Sequence, residues 1–353
     1  MTGTVSGEGS WGVVAIVDEP LSLVAAFVAH YLWLGAAEVH LLLDDPRPEV
    51  VAALQGRPRV RVTAMDAAWW AARGEARPEP HARRQGILLT EVYRDYPRDW
   101  MLHVDADEFL IPARPIGEQL AAVPEGKVNL TAPAFESVRR RGAAGGDVFG
   151  TLFRRAVEFS PEDLSAVWGE EAALFGEEGF LGHSVGKSFV RTGHDLWIGA
   201  HYGVAPDLGP DVNLRLDWAR DHSVAFDGAV LHFDALTPLH WQLKFLRRKP
   251  GAVGRPVAKP GRAGWRARQY QSAAVLERAQ DAGALAALTE RVLTLDSAQE
   301  ATLRARGALV EMEHAIAARA REAFPDLTLD FSVAAFDRDL RAYHAALFAA
   351  WGL

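Results

Sequence analysis

Between residues 12 and 108 short apolar runs alternate with helical periods, and this alternation restricts the fold more than any other feature of the chain. Residues 12–17 (GVVAIV) are compact and β-branched, the pattern of a buried strand. Asp18 and Glu19 follow, and Pro20 suits the first turn of a helix. Leu21, Val24, Val28, Tyr31 and Leu32 then recur at helical spacing until Gly35. Residues 38–43 read as a second strand ending in Asp44 and Asp45, residues 48–54 as a short helix, and residues 60–65 as a third strand. Residues 81–96 read as a helix, and residues 100–104 as a fourth strand that delivers Asp105, Asp107 and Glu108. The order β-α-β-α-β-α-β predicts an α/β fold, a mixed but mostly parallel sheet flanked by helices. Ligands of such sheets bind beyond the carboxyl ends of the strands. The acidic pairs Asp18/Glu19, Asp44/Asp45 and Asp105/Asp107 are therefore expected along one rim.

From residue 113 to 235 the pattern loosens into strand-like pieces (KVNLTA, VFGTLF, KSFVR, AVLHF) between glycine-rich turns such as RRRGAAGG. These read as the second half of the sheet. Residues 251–264, rich in proline, glycine and cations, read as a linker or mobile loop. Two or three helices are expected over residues 265–324 and a last one over 334–351. The expected division is a domain over 1–250, the linker, and a C-terminal helical extension over 265–353.

With 353 residues, 49% of them hydrophobic, the chain can bury a substantial core. Its net charge of −8 does not match the basic field of a nucleic-acid binder. It has no cysteine, which excludes disulfides, thiolate metal sites and cysteine nucleophiles and fits a reducing cytoplasm, the expected location. The opening MTGTVSGEGS lacks a basic n-region, so no signal peptide is expected, and residues 21–34 are too short to span a bilayer.

Asp105 and Asp107 alternate on an extended stretch and so share a face. Two like charges held there gain nothing from each other, but hard divalent cations prefer carboxylate oxygens, and such an ion bridges and neutralises phosphates. The plain alternative is a solvated turn. The stretch WMLHVDADEFLIP resembles the signature of the glycosyltransferase family 2-like proteins, in the branch with Asp-x-Asp-Glu-Phe after an apolar strand. VAIVDEPLSLVAAFVAHYLWLGAAEVHLLLDD is similar to the family's opening segment, HARRQGILLTEVYRDYPRDW to its helix before the Asp-x-Asp strand, and GKSFVR and AVLHFD to later strands. The resemblance covers residues 12–250. Asp18 stands where the family usually has asparagine, which puts in doubt any role resting on an amide there.

The resemblance implies a GT-A (Rossmann-like) fold and an enzyme that moves a sugar from a nucleotide-sugar donor, UDP-type by family habit, to a hydroxyl of a saccharide or glycoconjugate, usually with inversion. It implies Mn²⁺ or Mg²⁺ as cofactor. Residue by residue, Asp107 would hold the metal and Asp105 the metal or the ribose. Asp44 and Glu19 would lie near the nucleotide, and His232 would be a third ligand or a donor contact. Lys187 would neutralise the diphosphate, and Gln85, one helical turn from His81, would line the donor pocket. Arg191, Lys244, Arg247 and Arg248 are further cations, and for Arg247 and Arg248 solvated surface is the plainer reading. Inversion needs a general base; Glu136 is the candidate by position, with Glu170, Glu171, Glu177, Glu178, His183 and Asp195 as others. Trp168, Trp197, Tyr202 and Trp218 would serve an acceptor groove if they are not core.

Two other readings stay open. One is a nucleotide-sugar-binding protein without transferase activity. The other is a nucleotidyltransferase, whose glycine-rich basic loop has no counterpart in residues 18–30. The C-terminal helices could pack on the first domain or form a homo-oligomer; their mixed charges make membrane docking the weakest option.

Overall fold

β1 (Trp11–Val17) opens a computed structural model that describes residues 9–78, 81–143, 146–208, 212–247 and 264–351. After it come α1 (Leu21–Trp33), β2 (Val39–Leu43), α2 (Pro48–Leu54), β3 (Val60–Ala64), α3 (Ala67–Ala72), α4 (His81–Arg94) and β4 (Trp100–His103). β5 (Glu108–Pro112), α5 (Ile116–Ala121) and β6 (Asn129–Ala132) complete this stretch. An excursion carries β7 (Ala134–Ser137), β8 (Arg139–Arg140), β9 (Leu152–Arg155) and α6 (Pro161–Trp168). The chain returns with β10 (Lys187–Arg191), β11 (Trp197–Ile198), β12 (Gly203–Val204), α7 (Val212–Asp221) and β13 (Ser223–Ala225). β14 (Gly228–His232), α8 (Pro238–Leu246), α9 (Gly264–Ala279), α10 (Ala282–Leu293) and β15 (Thr294–Leu295) lead into the C-terminal part. There α11 (Ser297–Ala305), β16 (Leu309–Glu311), α12 (Ile316–Ala323), α13 (Val333–Tyr343) and α14 (Ala345–Trp351) end the fold.

The contacts group these elements into two compact units. The first comprises Met1–Pro133, Val185–Val230 and Arg319–Leu327, and the second Ala134–Ser184, Leu231–Ala318 and Thr328–Leu353. The division drawn from the sequence follows the chain, whereas these units interleave along it.

The first unit holds a seven-stranded sheet in the order β13-β6-β10-β4-β1-β2-β3. β1 is parallel to β2 and β4, and β2 to β3, with Val17 opposite Leu43 and Val14 opposite His103. β10 runs antiparallel to both β4 and β6 and is the one reversed strand of this sheet. Every residue of β1, β2 and β4 is buried, as near-continuous apolar strands of a parallel sheet covered on both faces require. Val14, Ile16, Leu42, Leu88, Leu89, Tyr93, Met101, Val190 and Ile198 form one core cluster. The parallel pairing brings the ends of β1, β2 and β4, and the acidic residues after them, to the same edge.

α1 holds the segment after β4 in place. The Tyr31 hydroxyl donates to the Glu108 carbonyl at 2.9 Å and accepts from the Leu110 amide at 3.2 Å. His30 Nε2–H donates to the Leu110 carbonyl at 2.8 Å. α3 was not anticipated: Asp66 caps it by accepting from the Trp69 amide, an N-cap hidden in the short stretch DAAWWAA.

In the second unit β9 pairs antiparallel with β7 and β16, and β15 pairs with β8. Its core joins Val138, Leu152, Phe159 and Trp168 to Trp241, Leu285, Val292 and Leu303. The region expected to be purely helical thus contributes two strands, and the last helix divides at His344. The expected linker lies outside the described residues, apart from Gly264 at the start of α9. Among the described residues no helix is long and apolar enough to cross a membrane.

Candidate functional site

The reversal of β10 builds the site. Because β10 runs against β4, its first residue, Lys187, lies at the edge where β4 ends. Gly186 precedes it with φ +80°, and a Cβ there would stand 2.0 Å from the Ala132 carbonyl oxygen, so only glycine makes this entry. Lys187 is 1% exposed and donates to Asp105 Oδ2 at 2.8 Å; its Nζ is 3.0 Å from Glu108 Oε2. Burial acts to lower the Lys187 pKa, but Asp105 and Glu108 outweigh it and hold the ammonium above the ordinary lysine value. Burial likewise pushes the Asp105 carboxyl up, and the Lys187 charge more than offsets that, holding it well below the usual carboxylate range. Asp105 is therefore a fixed anion, with its side chain 40% exposed at the rim.

A directed chain of hydrogen bonds sets its orientation. A carbonyl oxygen only accepts, so the 2.9 Å contact of His103 Nδ1 with the Val14 carbonyl places the proton on Nδ1. His103 Nε2 then accepts from Gln85 Nε2 at 2.8 Å, and the second amide hydrogen of Gln85 goes to Asp105 Oδ1 at 3.2 Å. Burial, aided by Lys187, lowers the His103 pKa to about 4, so the ring is neutral at pH 7. His201 is similar: its Nδ1 bonds the Gly186 carbonyl at 2.8 Å, and burial first, then Lys187, lowers its pKa to about 3.

The rim continues along β1, β2 and β3. A cavity of about 780 Å³ is lined by Asp18, Asp44, Asp45, Met65, Asp66 and Trp70, among others. This volume suits a nucleotide-sized ligand. The Asp44 carboxylate takes a fork from Arg84, with Nε at 3.1 Å and an Nη at 2.6 Å, and an Arg77 guanidinium 2.9 Å away. Burial raises the Asp44 pKa, but the nearby His81 ring, 3.9 Å away, and the Arg84 fork outweigh this and leave it well below the carboxylate range. Asp44 thus anchors α4 to the end of β2. Glu19 lies half-buried after β1, and Asp107 is buried at 4% exposure.

The structure thus gathers Asp44, Gln85, Asp105 and Lys187 on one rim, where Gln85 faces His103 and Asp105 with both amide hydrogens. Glu136 and His232 stand in the second unit. Glu136 is 1% exposed; its Oε2 accepts from Arg154 at 2.7 Å and from the Leu181 amide at 3.0 Å, and its Oε1 from the Gly182 amide. His232 Nε2 lies 3.8 Å from Asp234 Oδ1, and Lys244 Nζ 3.5 Å from the same oxygen. Trp168 stacks on Phe175 in the second core, and Trp218 stacks on His222. Arg248 lies outside the described residues. The sequence reading did not single out His103, Arg84, His201 or Trp70. His103 alternates with Asp105, and Arg84 lies three residues from His81 on the face that carries Gln85, so spacing could have found both.

The fold and rim define a mixed, mostly parallel α/β sheet of Rossmann-like type with a charged carboxyl edge. No family model matches the chain, and no curated protein matches it. Among solved structures it is similar to S. aureus TarS 1–349, at TM-score 0.30 and 11% identity over 68% of this chain and 65% of that one. It is also similar to a putative glucose-1-phosphate thymidylyltransferase from Bacillus anthracis in complex with a sucrose, at TM-score 0.31 and 12% identity over 74% and 99%. A longer structure of S. aureus TarS gives TM-score 0.27 and 10% identity over 68% and 39%. The chain therefore spans less than two thirds of either TarS chain. At these scores the likenesses add nothing to the site, which stands on its own residues.

Proposed function

We propose that the rim of the first unit binds a nucleotide-sugar, with a UDP-type donor the first to test, and that the protein is a glycosyltransferase acting on a saccharide or glycoconjugate hydroxyl. The observation that carries this reading is that one carboxyl edge of the sheet carries both a fixed, partly exposed carboxylate, Asp105 after β4, and a nucleotide-sized cavity lined by Asp18, Asp44 and Asp66 beyond β1, β2 and β3. The ordered resemblance of residues 12–250 supports it from the sequence. In this reading the 4% exposed edge of Trp70, a core residue at the cavity wall, meets the base, and Asp105 accepts from a hydroxyl of the ligand. Transfer with inversion is the outcome that the resemblance favours. Glu136, whose carboxylate accepts from Arg154 and from the Leu181 and Gly182 amides, stays its candidate base by position.

Thermal-shift screening of UDP-, GDP-, CMP- and dTDP-sugars tests the proposal. A ligand that binds only the native state stabilises it by about 2.7 kcal/mol at a hundredfold excess over Kd, a rise of roughly 2–4 °C for a chain of this size. One nucleotide class should shift the melting temperature, and Trp70→Ala should abolish the shift. No shift with any donor would end the reading. A turnover assay with the donor that binds then separates a transferase from a non-catalytic binder.

A further inference from the structure

The cation at the end of β4 is part of the chain. The resemblance puts a divalent ion on Asp105 and Asp107, and such an ion needs oxygen lone pairs turned toward one point, about six of them for Mg²⁺. The donors present do not fit that need. Asp105 Oδ2 and Glu108 Oε2 converge on Lys187 Nζ, at 2.8 and 3.0 Å. Asp105 Oδ1 accepts from Gln85, and Glu108 Oε2 also accepts the Asp105 amide at 2.8 Å. Asp107 is buried, and among the described residues no three His, Asp or Glu side chains are grouped to hold an ion. The lysine does not readily yield its place. It is 1% exposed, and it leaves from a strand paired on both sides, by β4 and β6. A metal ion brought against the same two carboxylates would meet a fixed like charge at contact distance.

We propose that Lys187 is the resident counter-cation of this rim: its ammonium holds, against Asp105 and Glu108, the place that the resemblance gives to a divalent ion, and these two carboxylates take up no metal. The inference rests on the nucleotide-sugar reading only for the choice of ligand in one arm of its test. Mn²⁺ titration of the full chain, followed by the electron paramagnetic resonance signal of the free ion, reads it directly. The wild type and Asp105→Asn should bind Mn²⁺ identically, alone and with UDP or GDP at saturating concentration. Lys187→Met, which leaves two facing carboxylates uncompensated, should gain Mn²⁺ affinity by about tenfold or more, and Asp105→Asn in that background should remove the gain.

Mn²⁺ uptake by the wild type that Asp105→Asn abolishes would overturn the proposal. So would a folded Lys187→Met variant with no gain. Should Lys187→Met not fold, the comparison of wild type with Asp105→Asn decides by itself. Failure of every nucleotide to bind would count against the proposed function, while the metal-only arm would still decide this one.

Discussion

Asp105 shows how one residue acquires a fixed state from its neighbours. Lys187 keeps it ionised, and the sequence Val14, His103, Gln85 keeps it aimed, through hydrogen bonds whose direction a carbonyl at the far end determines. The chain of bonds requires a neutral His103, and this gives a pH dependence. Unfolded, a histidine takes up its proton near pH 6.5; His103 in the fold does so only near pH 4. Between those values the unfolded state binds more protons, so stability rises with pH and is lost as pH falls from about 6.5 toward 4. For a group 3% exposed the loss approaches about 3 kcal/mol at the lower limit. His40 and His201, lowered to about 4 and about 3, act in the same direction. The Asp105–Lys187 pair contributes no slope there. A depressed carboxyl loses its contribution only below the ordinary carboxylate pKa, and a raised lysine only above the ordinary lysine value. Urea midpoints at pH 7, 5.5 and 4.5 should therefore fall steadily, and His103→Gln should flatten the fall. An unchanged slope in that variant would mean that His103 is not the group that titrates.

At the scale of elements, the reversed strand decides the site, and its entry gives a second prediction. Gly186→Ala must place a Cβ against the Ala132 carbonyl from a left-handed backbone. The conformation alone costs about 1–2 kcal/mol, and the overlap adds to it. We expect a loss above about 2 kcal/mol in chemical denaturation and, because Lys187 is the next residue, a weakened nucleotide response. Gly35→Ala, also at positive φ but with nothing within 4 Å, should show only the smaller conformational loss. Much of this architecture was legible. The helix Pro48–Leu54 and the strand Lys187–Arg191 fall where periodicity placed them, and the first four strands agree to within a residue at either end. Local pattern carries that information because burial imposes it directly. The direction of β10 was not legible, since KSFVR reads the same in either sense. Nor was the pairing of Lys187 with a carboxylate 82 residues earlier, or of Arg84 with Asp44, 40 residues earlier. Such partners are chosen by the sheet order, which no local stretch encodes.

At the scale of the whole molecule, the two units are not successive. The first is completed by Arg319–Leu327, from which Asp326 pairs with Arg57. The second is assembled from both sides of it: β16 pairs with β9 and β15 with β8, and Leu285, Val292, Leu295 and Leu303 share a core with Leu152, Phe159 and Trp168. A cut near residue 250, where composition suggests a linker, therefore removes half of one core and one segment of the other. Each buried leucine-sized side chain lost from its partners forfeits about 2 kcal/mol or more. Native stability is on the order of 5–15 kcal/mol, so a few such losses suffice. Residues 1–250 expressed alone should bind a hydrophobic dye, lose near-ultraviolet circular dichroism and melt without a cooperative transition. Co-expression with residues 251–353 should restore all three, since the missing strands and core side chains return without the covalent link. A fragment 1–250 that melts sharply on its own would show that the first unit closes without Arg319–Leu327 and that the interleaving has no energetic weight.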